Sequence, residues 1–139
     1  WLCWAVPHGL RIGWSSSVFG RLRWRLFLPW TWRALATLGV AVALGQDDIE
    51  DAYYPFGRHS LLEVAFLAAH LLDMRTGPQQ EVLVDLVTTS AARVLGLGGY
   101  GLRVGGPADL LVHDATRTVD LLARHAAPRV VVRGGVLLG

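Results

Sequence analysis

Apolar residues follow first a helical and then a strand pattern in the region of residues 32–44. Trp32, Leu35 and Leu38 have helical spacing, and Gly39 is a typical residue just beyond a helix end. The apolar run Val40–Leu44 follows directly and contains no polar residue, which predicts a short strand buried on both faces. A helix followed by a strand is typical of an α/β fold.

Two long helices are predicted after this strand. Pro55-Phe56-Gly57 marks a turn, and residues 60–74 then form a helix that is apolar nearly all round and is expected to be buried. Thr76-Gly77-Pro78 ends that helix and begins the next, since proline is well accepted in a first helical turn. The second helix is predicted over residues 79–95, with Gly96 as its C-terminal cap.

Residues 100–139 have the pattern of a small β unit. Short apolar runs alternate there with glycine-containing turns, and Gly134-Gly135 is typical of a tight hairpin. The predicted turn, two strands and hairpin lie at residues 102–107, 108–113, 129–133 and 134–138.

The composition is that of a folded chain. Of its 139 residues, 53% are apolar and 17% are charged, and no apolar run reaches the roughly 18 residues needed to span a bilayer. The chain begins at Trp1 rather than Met, so we expect a fragment of a longer protein, and a cytoplasmic location is the default without a recognisable signal peptide. Cys3 is the only cysteine, which excludes an intrachain disulfide and a cysteine-rich zinc site.

The N-terminal region differs from the rest in charge and aromatic content. Residues 1–46 contain five arginines and no acid, residues 47–139 contain eight arginines and all 11 acids, and all six tryptophans lie within the first 32 residues. Arg21-Leu22-Arg23-Trp24-Arg25 is a weak candidate for binding nucleic acid or a membrane surface, because it has no sustained helical pattern. Since the chain contains no lysine, we hypothesise that part of residues 1–33 derives from a shifted reading frame of GC-rich DNA.

Four carboxylates crowd the exit of the predicted strand. They belong to Asp47, Asp48, Glu50 and Asp51, directly after Val40–Leu44. Clustered like charges raise the pKa of some members unless a cation or hydrogen-bond donors offset them, so the cluster indicates a metal site or an acid–base role. The alternative is an acidic loop that caps a helix, and the spacing alone does not decide between them.

The remaining motifs indicate structure rather than chemistry. Residues 96–101 satisfy G-x-G-x-x-G, but they follow a helix and precede a strand, the reverse of a dinucleotide site. His70 lies seven residues after Glu63 on a similar helix face, so we expect a buried polar contact there, whereas His59 is expected to meet solvent or cap the helix. None of the histidines has the local spacing of a zinc site; they occupy positions 8, 59, 70, 113 and 125.

A series of motifs occurs along the chain in a fixed order. They are Gly45-x-Asp47-Asp48 followed by residues 51–57, then Leu61-Leu62-Glu63-Val64, residues 88–97, residues 105–112 and residues 131–136. Together they resemble the C-terminal third of a cytosine deaminase of the metal-dependent amidohydrolase superfamily. The resemblance runs from about residue 34 to residue 139 and does not include residues 1–33.

The resemblance implies an α/β fold, namely the C-terminal part of a (β/α)₈, TIM-like amidohydrolase barrel followed by a small β-sandwich portion. Residues 34–99 would hold the last barrel strand, Val40–Leu44, and the closing helices. Residues 100–139 would supply C-terminal strands of the sandwich, and residues 1–33 would be an atypical segment. A complete barrel needs about 250 residues, so the parent protein would be much longer.

The resemblance also assigns site residues. Asp47 matches the family's metal-ligating aspartate, which would bind a divalent metal, Fe²⁺ or Zn²⁺, and accept the proton of the attacking water. Asp48 and Tyr53 would line the substrate pocket, and relatives often carry Trp where this chain has Tyr53. Glu50 and Asp51 would be capping or loop residues.

The function implied is hydrolytic deamination of a pyrimidine or related N-heterocycle with release of ammonia, by a hydrolase acting on non-peptide C–N bonds. Two alternatives stay open: an amidohydrolase acting on an amino-triazine or another cyclic C–N bond, and a truncated, non-catalytic barrel fragment. The implied partner is a small heterocycle rather than nucleic acid or a membrane, with a homo-oligomer open for the full-length parent. Because the family's histidine ligands lie on earlier strands, we expect this chain alone to be inactive.

Overall fold

The computed structural model describes residues 2–5, 11–13, 34–35, 37–46, 50, 52 and 54–138. The described part of the chain is mixed α/β, as the sequence predicts. Its strands in chain order are β1 (Leu2–Ala5), β2 (Arg11–Gly13), β3 (Ala41–Leu44), β4 (Leu110–Val112), β5 (Val130–Arg133) and β6 (Val136–Leu137). Its helices are α1 (Leu61–Leu71), α2 (Gly77–Val87), α3 (Thr89–Val94) and α4 (Thr118–Arg124).

The predicted junction between a helical turn and β3 is confirmed. The backbone N–H of Leu38 donates to the carbonyl of Ala34 at 3.0 Å, and that of Val40 donates to the carbonyl of Leu35 at 2.9 Å. Gly39 between them has φ +74°, a left-handed conformation that glycine adopts without the cost of a Cβ atom. This turn directs the chain straight into β3.

Strand β3 is the edge of an antiparallel sheet with the order β2-β1-β3. Its register against β1 runs from Leu2 opposite Leu44 to Ala5 opposite Ala41. Adjacent strands of a (β/α)₈ barrel are parallel, so the antiparallel pairing of β1 with β3 does not by itself show a barrel.

Helix α1 buries one face only. Val64, Ala65 and Ala68 are at most 8% exposed, whereas Leu67 and Leu71 on other faces are 39% and 61% exposed. The expectation of a helix buried all round is therefore wrong. The buried face meets β3, α2 and α4, whereas Leu67 and Leu71 remain exposed. No helix in the described ranges is long and apolar enough to cross a membrane.

The single helix predicted over residues 79–95 is wrong, because the chain breaks it into α2 and α3 at Thr88. Thr88 has φ −125° and ψ −91°, outside the helical region. Its hydroxyl donates to the carbonyl of Val84 at 2.6 Å, and β-branched Val87, Thr88 and Thr89 follow one another. Hydroxyl back-bonding and β-branching both weaken helix continuation, which explains the break.

The C-terminal β unit is confirmed as an antiparallel sheet with the order β4-β5-β6. Gly134 and Gly135, with φ +57° and +80°, form the tight turn between β5 and β6. The Asp109 carboxylate accepts the N–H of Gly134 at 2.6 Å, which ties this turn to the residue before β4. Helix α4 lies between β4 and β5 and was not predicted, because it is only seven residues long.

Among the described residues, one apolar core joins β3 to helices α1, α2 and α4. Most of its side chains lie in the strand and helices that the sequence predicts. Leu122 of α4 is its one buried member from the C-terminal part of the described chain. Its buried members are Val42, Leu44, Val64, Ala65, Ala68, Leu72, Met74, Leu83, Leu86, Val87 and Leu122.

Replacing Leu83, which is fully buried in α2, should test this core. We expect Leu83→Ala to lower the free energy of unfolding by about 2–5 kcal/mol, because it removes buried methyl groups and leaves a cavity. Leu71→Ala on α1, where the side chain is 61% exposed, is the matched control and should change stability by less than about 0.5 kcal/mol. Urea unfolding followed by circular dichroism measures both, and equal effects would contradict the packing described.

Candidate functional site

The candidate site is the segment that connects β3 to α1, residues 45–60, which we call the acidic loop. The sequence assigns its chemistry to Asp47, Asp48 and Tyr53, and all three lie outside the described residues. The described residues of the loop are Gly45, Gln46, Glu50, Ala52 and residues 54–60, which define both of its ends.

The loop begins at a firmly held strand end. Val42, Ala43 and Leu44 are each 4–5% exposed. Gln46 follows two residues later, half-buried, and its side-chain amide nitrogen makes no hydrogen bond within the described part of the chain although it is buried. A buried amide without an acceptor costs free energy, so we expect an acceptor from beyond the described residues.

The loop ends in a close turn over Tyr54-Pro55-Phe56-Gly57. The N–H of Gly57 donates to the carbonyl of Tyr54 at 3.4 Å, which confirms the predicted turn. A Cβ atom on Gly57 would lie 2.8 Å from Cδ1 of the Tyr54 ring and 3.5 Å from the backbone nitrogen of Glu50. Glycine is therefore required at position 57 by the close approach of the Tyr54 ring.

Glu63, in the first turn of α1, is the buried polar group next to the acidic loop. It is 7% exposed and is the one buried charged side chain among the residues described. Its Oε2 accepts the backbone N–H of Arg58 at 2.9 Å, and its carboxylate also accepts a hydrogen bond from the Tyr54 hydroxyl.

The expected buried polar contact of His70, on the helix face it shares with Glu63, is wrong. His70 is exposed, and its Nδ1 instead lies 2.8 Å from the carbonyl oxygen of Phe66 on the preceding turn of the same helix. Seven residues correspond to about 10 Å along a helix axis, which is too far for the two side chains to meet directly. Glu63 instead accepts hydrogen bonds from Arg58 and Tyr54 of the acidic loop. Helix periodicity does not predict these partners.

Tyr54 is electrostatically coupled to this carboxylate. Partial burial, the hydrogen bond to Glu63 and the charge of Glu63 raise the pKa of Tyr54 above 10.0, while the positive charge of Arg58 opposes the rise. His59 is exposed with φ +54° and precedes Ser60, the N-cap of α1, so the expected solvent contact is confirmed.

The described residues do not form a metal site by themselves. No group of three or more His, Cys, Asp or Glu side chains among them is arranged to hold a metal ion. Asp47, the expected ligand, lies outside these residues.

The G-x-G-x-x-G motif at residues 96–101 is a helix end, as expected. Gly96 has φ +68°, and the N–H of Leu97 donates to the carbonyl of Ala92 at 2.9 Å. This is the hydrogen bond of a Schellman cap on α3, so the glycines end a helix rather than begin one. A dinucleotide phosphate site needs the opposite order.

The sequence profile of the Amidohydrolase family matches residues 4–138. The chain belongs to the amidohydrolase family. The match includes most of residues 1–33, which the motifs of the resemblance leave out.

Two characterised amidohydrolase-like relatives are similar over 105 residues, or 75% of this chain. Pterin deaminase from Rhizobium rhizogenes (strain K84 / ATCC BAA-868) is 35% identical, and the match covers 24% of its length. N-isopropylammelide isopropyl amidohydrolase from Pseudomonas sp. (strain ADP) is 27% identical, with 26% of its length covered.

Solved structures extend the similarity to the fold. The 5-methylcytosine deaminase from Klebsiella pneumoniae, liganded with 5-fluorocytosine, has a TM-score of 0.69 and 32% identity over 77% of this chain and 26% of its own. N-isopropylammelide isopropylaminohydrolase from Burkholderia multivorans ATCC 17616 has a TM-score of 0.70 and 34% identity over 76% of this chain and 27% of its own. The predicted resemblance to this family is confirmed, and the amidohydrolase chain spans about a quarter of the length of the relatives it matches.

Gly57→Ala should disturb the end of the acidic loop. The added Cβ would force the Tyr54 ring to move, so we expect the free energy of unfolding to fall by about 1–3 kcal/mol. Gly98→Ala is the control, since nothing lies within 4 Å of a Cβ there. Urea unfolding measures both variants, and a Gly57→Ala protein as stable as Gly98→Ala would contradict the packing of Tyr54 on Gly57.

The raised pKa of Tyr54 predicts a pH dependence of stability. The unfolded chain loses the phenolic proton first, at about pH 10, so the free energy of unfolding falls as the pH rises from there through the pKa of the folded state. Tyr54→Phe should remove this part of the decline. Urea unfolding of both proteins between pH 8 and about pH 11 tests it, and parallel curves would exclude a raised pKa.

Proposed function

We propose that this amidohydrolase chain is part of a cytosine deaminase-like enzyme that hydrolytically removes an amino group from an N-heterocycle. The observation that carries the proposal is the 32–35% identity, over three quarters of the chain, to deaminases of pterin and 5-methylcytosine. Both named substrates are nitrogen heterocycles that bear an amino group on the ring.

The fold proposed for the parent is a (β/α)₈ barrel followed by a small β-sandwich. Residues 34–99 would contribute the last barrel strand and the closing helices, which is supported by the packing of α1, α2 and α3 on β3. Residues 100–139 would contribute sandwich strands, which is supported by the antiparallel sheet β4-β5-β6 and its exposed apolar side chains.

Residues 1–33 are proposed to be an atypical segment of the parent. Their arginine and tryptophan content supports this, while the family profile already matches from residue 4 and β1 pairs with β3. Translating the coding DNA in all frames tests the shifted-frame hypothesis. One open frame that encodes residues 1–33 continuously with residue 34 would contradict it.

Asp47 is proposed as the catalytic residue and metal ligand. Val42 and Leu44 belong to the core between β3 and the helices, so Ala43 and Gly45 mark the opposite face of the strand. Asp47 follows the end of this strand by three residues. Carboxylates at the C-terminal ends of barrel strands are where this fold carries its chemistry.

The metal proposed is Fe²⁺ or Zn²⁺ and requires ligands beyond this chain's described residues, which include no metal-binding group of their own. A divalent metal, when bound, would lower the pKa of a water so that hydroxide is available at neutral pH. Asp47 would accept the proton of the attacking water and return a proton to the departing ammonia. The ring carbon gains an oxygen and loses its amino group.

Asp48 and Tyr53 are proposed to line the substrate pocket, where Asp48 would orient the nucleophile or the substrate by accepting a hydrogen bond. Glu50 is exposed with φ +53°, which supports a loop role for it rather than a catalytic one. A second candidate substrate is an amino-triazine derivative. It is favoured by the 34% identity to the Burkholderia N-isopropylammelide enzyme.

The proposal is tested by assaying the full-length protein that contains this chain, supplied with Fe²⁺ or Zn²⁺, for ammonia release from cytosine, 5-methylcytosine and pterin and for isopropylamine release from N-isopropylammelide. We expect ammonia release from at least one of the first three compounds. Asp47→Asn should lower kcat by at least about 100-fold, because it removes the proton acceptor and a metal-ligand charge. Asp51→Asn is the control within the same loop and should keep activity within a few fold.

Three results would contradict the proposal. Release of neither ammonia nor isopropylamine from these heterocycles would favour the truncated, non-catalytic alternative. An active Asp47→Asn enzyme would show that Asp47 is not the proton acceptor. Isopropylamine release from N-isopropylammelide, without ammonia release from the other compounds, would favour the triazine alternative.

A further inference from the structure

Glu63 is buried and makes no ion pair with any of the described residues. It is 7% exposed, and the ion pairs found among the described residues link Arg75 to Asp73, Arg117 to Asp120 and Arg129 to Asp114 instead. Burying an ionised carboxylate is costly unless hydrogen bonds or an opposite charge offset the loss of hydration. The hydrogen-bond donors that Glu63 meets therefore explain why it is tolerated there.

Those donors belong to the acidic loop and not to the helix end. Ser60 and Glu63 have the spacing of a capping box, in which the glutamate would return to the backbone N–H of Ser60. Ser60 makes no side-chain cap hydrogen bond, and Glu63 Oε2 accepts the N–H of Arg58 at 2.9 Å, two residues before the cap. The carboxylate thus reaches past the helix end and holds the loop.

Tyr54 makes this attachment rigid. Its hydroxyl donates to Glu63, its carbonyl accepts the N–H of Gly57 at 3.4 Å, and its ring atom Cδ1 lies 2.8 Å from where a Cβ on Gly57 would be. We call Tyr54, Gly57, Arg58 and Glu63 together the loop anchor. It fixes both the backbone and one aromatic side chain at the C-terminal end of the acidic loop.

The loop anchor and β3 hold opposite ends of one short stretch. Leu44 is 4% exposed and ends the buried strand, and the anchor begins at Tyr54. The intervening residues 45–53 include the proposed site residues Asp47, Asp48 and Tyr53. Fixing both ends of a short loop removes much of its conformational freedom, and residues that support site residues in this way tune activity without touching the substrate.

We propose that Glu63 is a positioning residue, which acts through Tyr54 and the backbone of Arg58 to hold the acidic loop in its catalytic arrangement. This inference rests on the proposed function. Glu63 itself touches neither the substrate nor the reacting atoms.

The test uses Glu63→Ala, Glu63→Gln and Tyr54→Phe in the full-length protein, with Glu81→Gln, an exposed carboxylate on α2, as the matched control. Glu63→Ala should lower kcat by about 10- to 100-fold with a smaller change in KM, since it misplaces the site residues. Glu63→Gln should recover part of the loss because its amide oxygen still accepts a hydrogen bond. Tyr54→Phe, which keeps the ring and removes one hydrogen bond, should give an intermediate loss, and Glu81→Gln none.

Amide hydrogen exchange over residues 45–58 provides a readout that does not need activity. Glu63→Ala and Tyr54→Phe should each speed exchange there while the amides of β3 and α2 stay protected. Wild-type kcat in both variants would overturn the inference, even if exchange becomes faster, because the anchor would then be structural only. A lower kcat with unchanged exchange in the loop would overturn it as well.

Failure of this inference can be told apart from failure of the proposed function. If Asp47→Asn is inactive and both anchor variants have wild-type kcat, the deaminase stands and the positioning role does not. If no heterocycle is deaminated by the wild type, the proposed function fails, and with it the catalytic role of the anchor. Should Glu63→Ala fail to fold, Tyr54→Phe alone decides the outcome.

Discussion

The packing of β3 against the helices is the constraint on which the rest of this structure depends. Val42 and Leu44 are buried in the same apolar core as Val64 of α1 and Leu83 of α2. A short strand cannot slide by one residue in this core, because every side chain would then change face. The position of the strand end, and so the start of the acidic loop, is fixed by packing rather than by the loop itself.

Local signals in the sequence predicted much of the fold, and long-range contacts account for what it missed. Gly39, Gly96 and the Gly134-Gly135 turn were predictable because each has a positive φ that glycine adopts at little cost. The break at Thr88 depends on a hydroxyl bonded to the preceding turn, which competes with helix continuation. Helix α4 is too short for its pattern to stand out, and Leu122 joins it to a core formed by distant residues.

The candidate site was predicted unevenly for a similar reason. Asp47, Asp48 and Tyr53 came from a resemblance to amidohydrolases and from the crowding of acids after a buried strand, both of which are visible in sequence. The hydrogen bonds of Glu63 could not be predicted in this way. The spacing of Glu63 from Ser60 is that of a capping box, whereas its carboxylate accepts hydrogen bonds from Tyr54 and from the backbone of Arg58. The choice between those partners depends on the path of the loop in space. Membership of the amidohydrolase family gives these local observations a chemical context.

The most direct test of the account is a crystal structure of the full-length protein with Zn²⁺, with anomalous scattering used to locate the metal. The account predicts a metal ion coordinated by an Asp47 carboxylate oxygen at about 2.0–2.2 Å, at the C-terminal end of β3. A metal bound elsewhere, or a metal at this strand end whose ligands do not include Asp47, would contradict the central claim that this strand end carries the catalytic site.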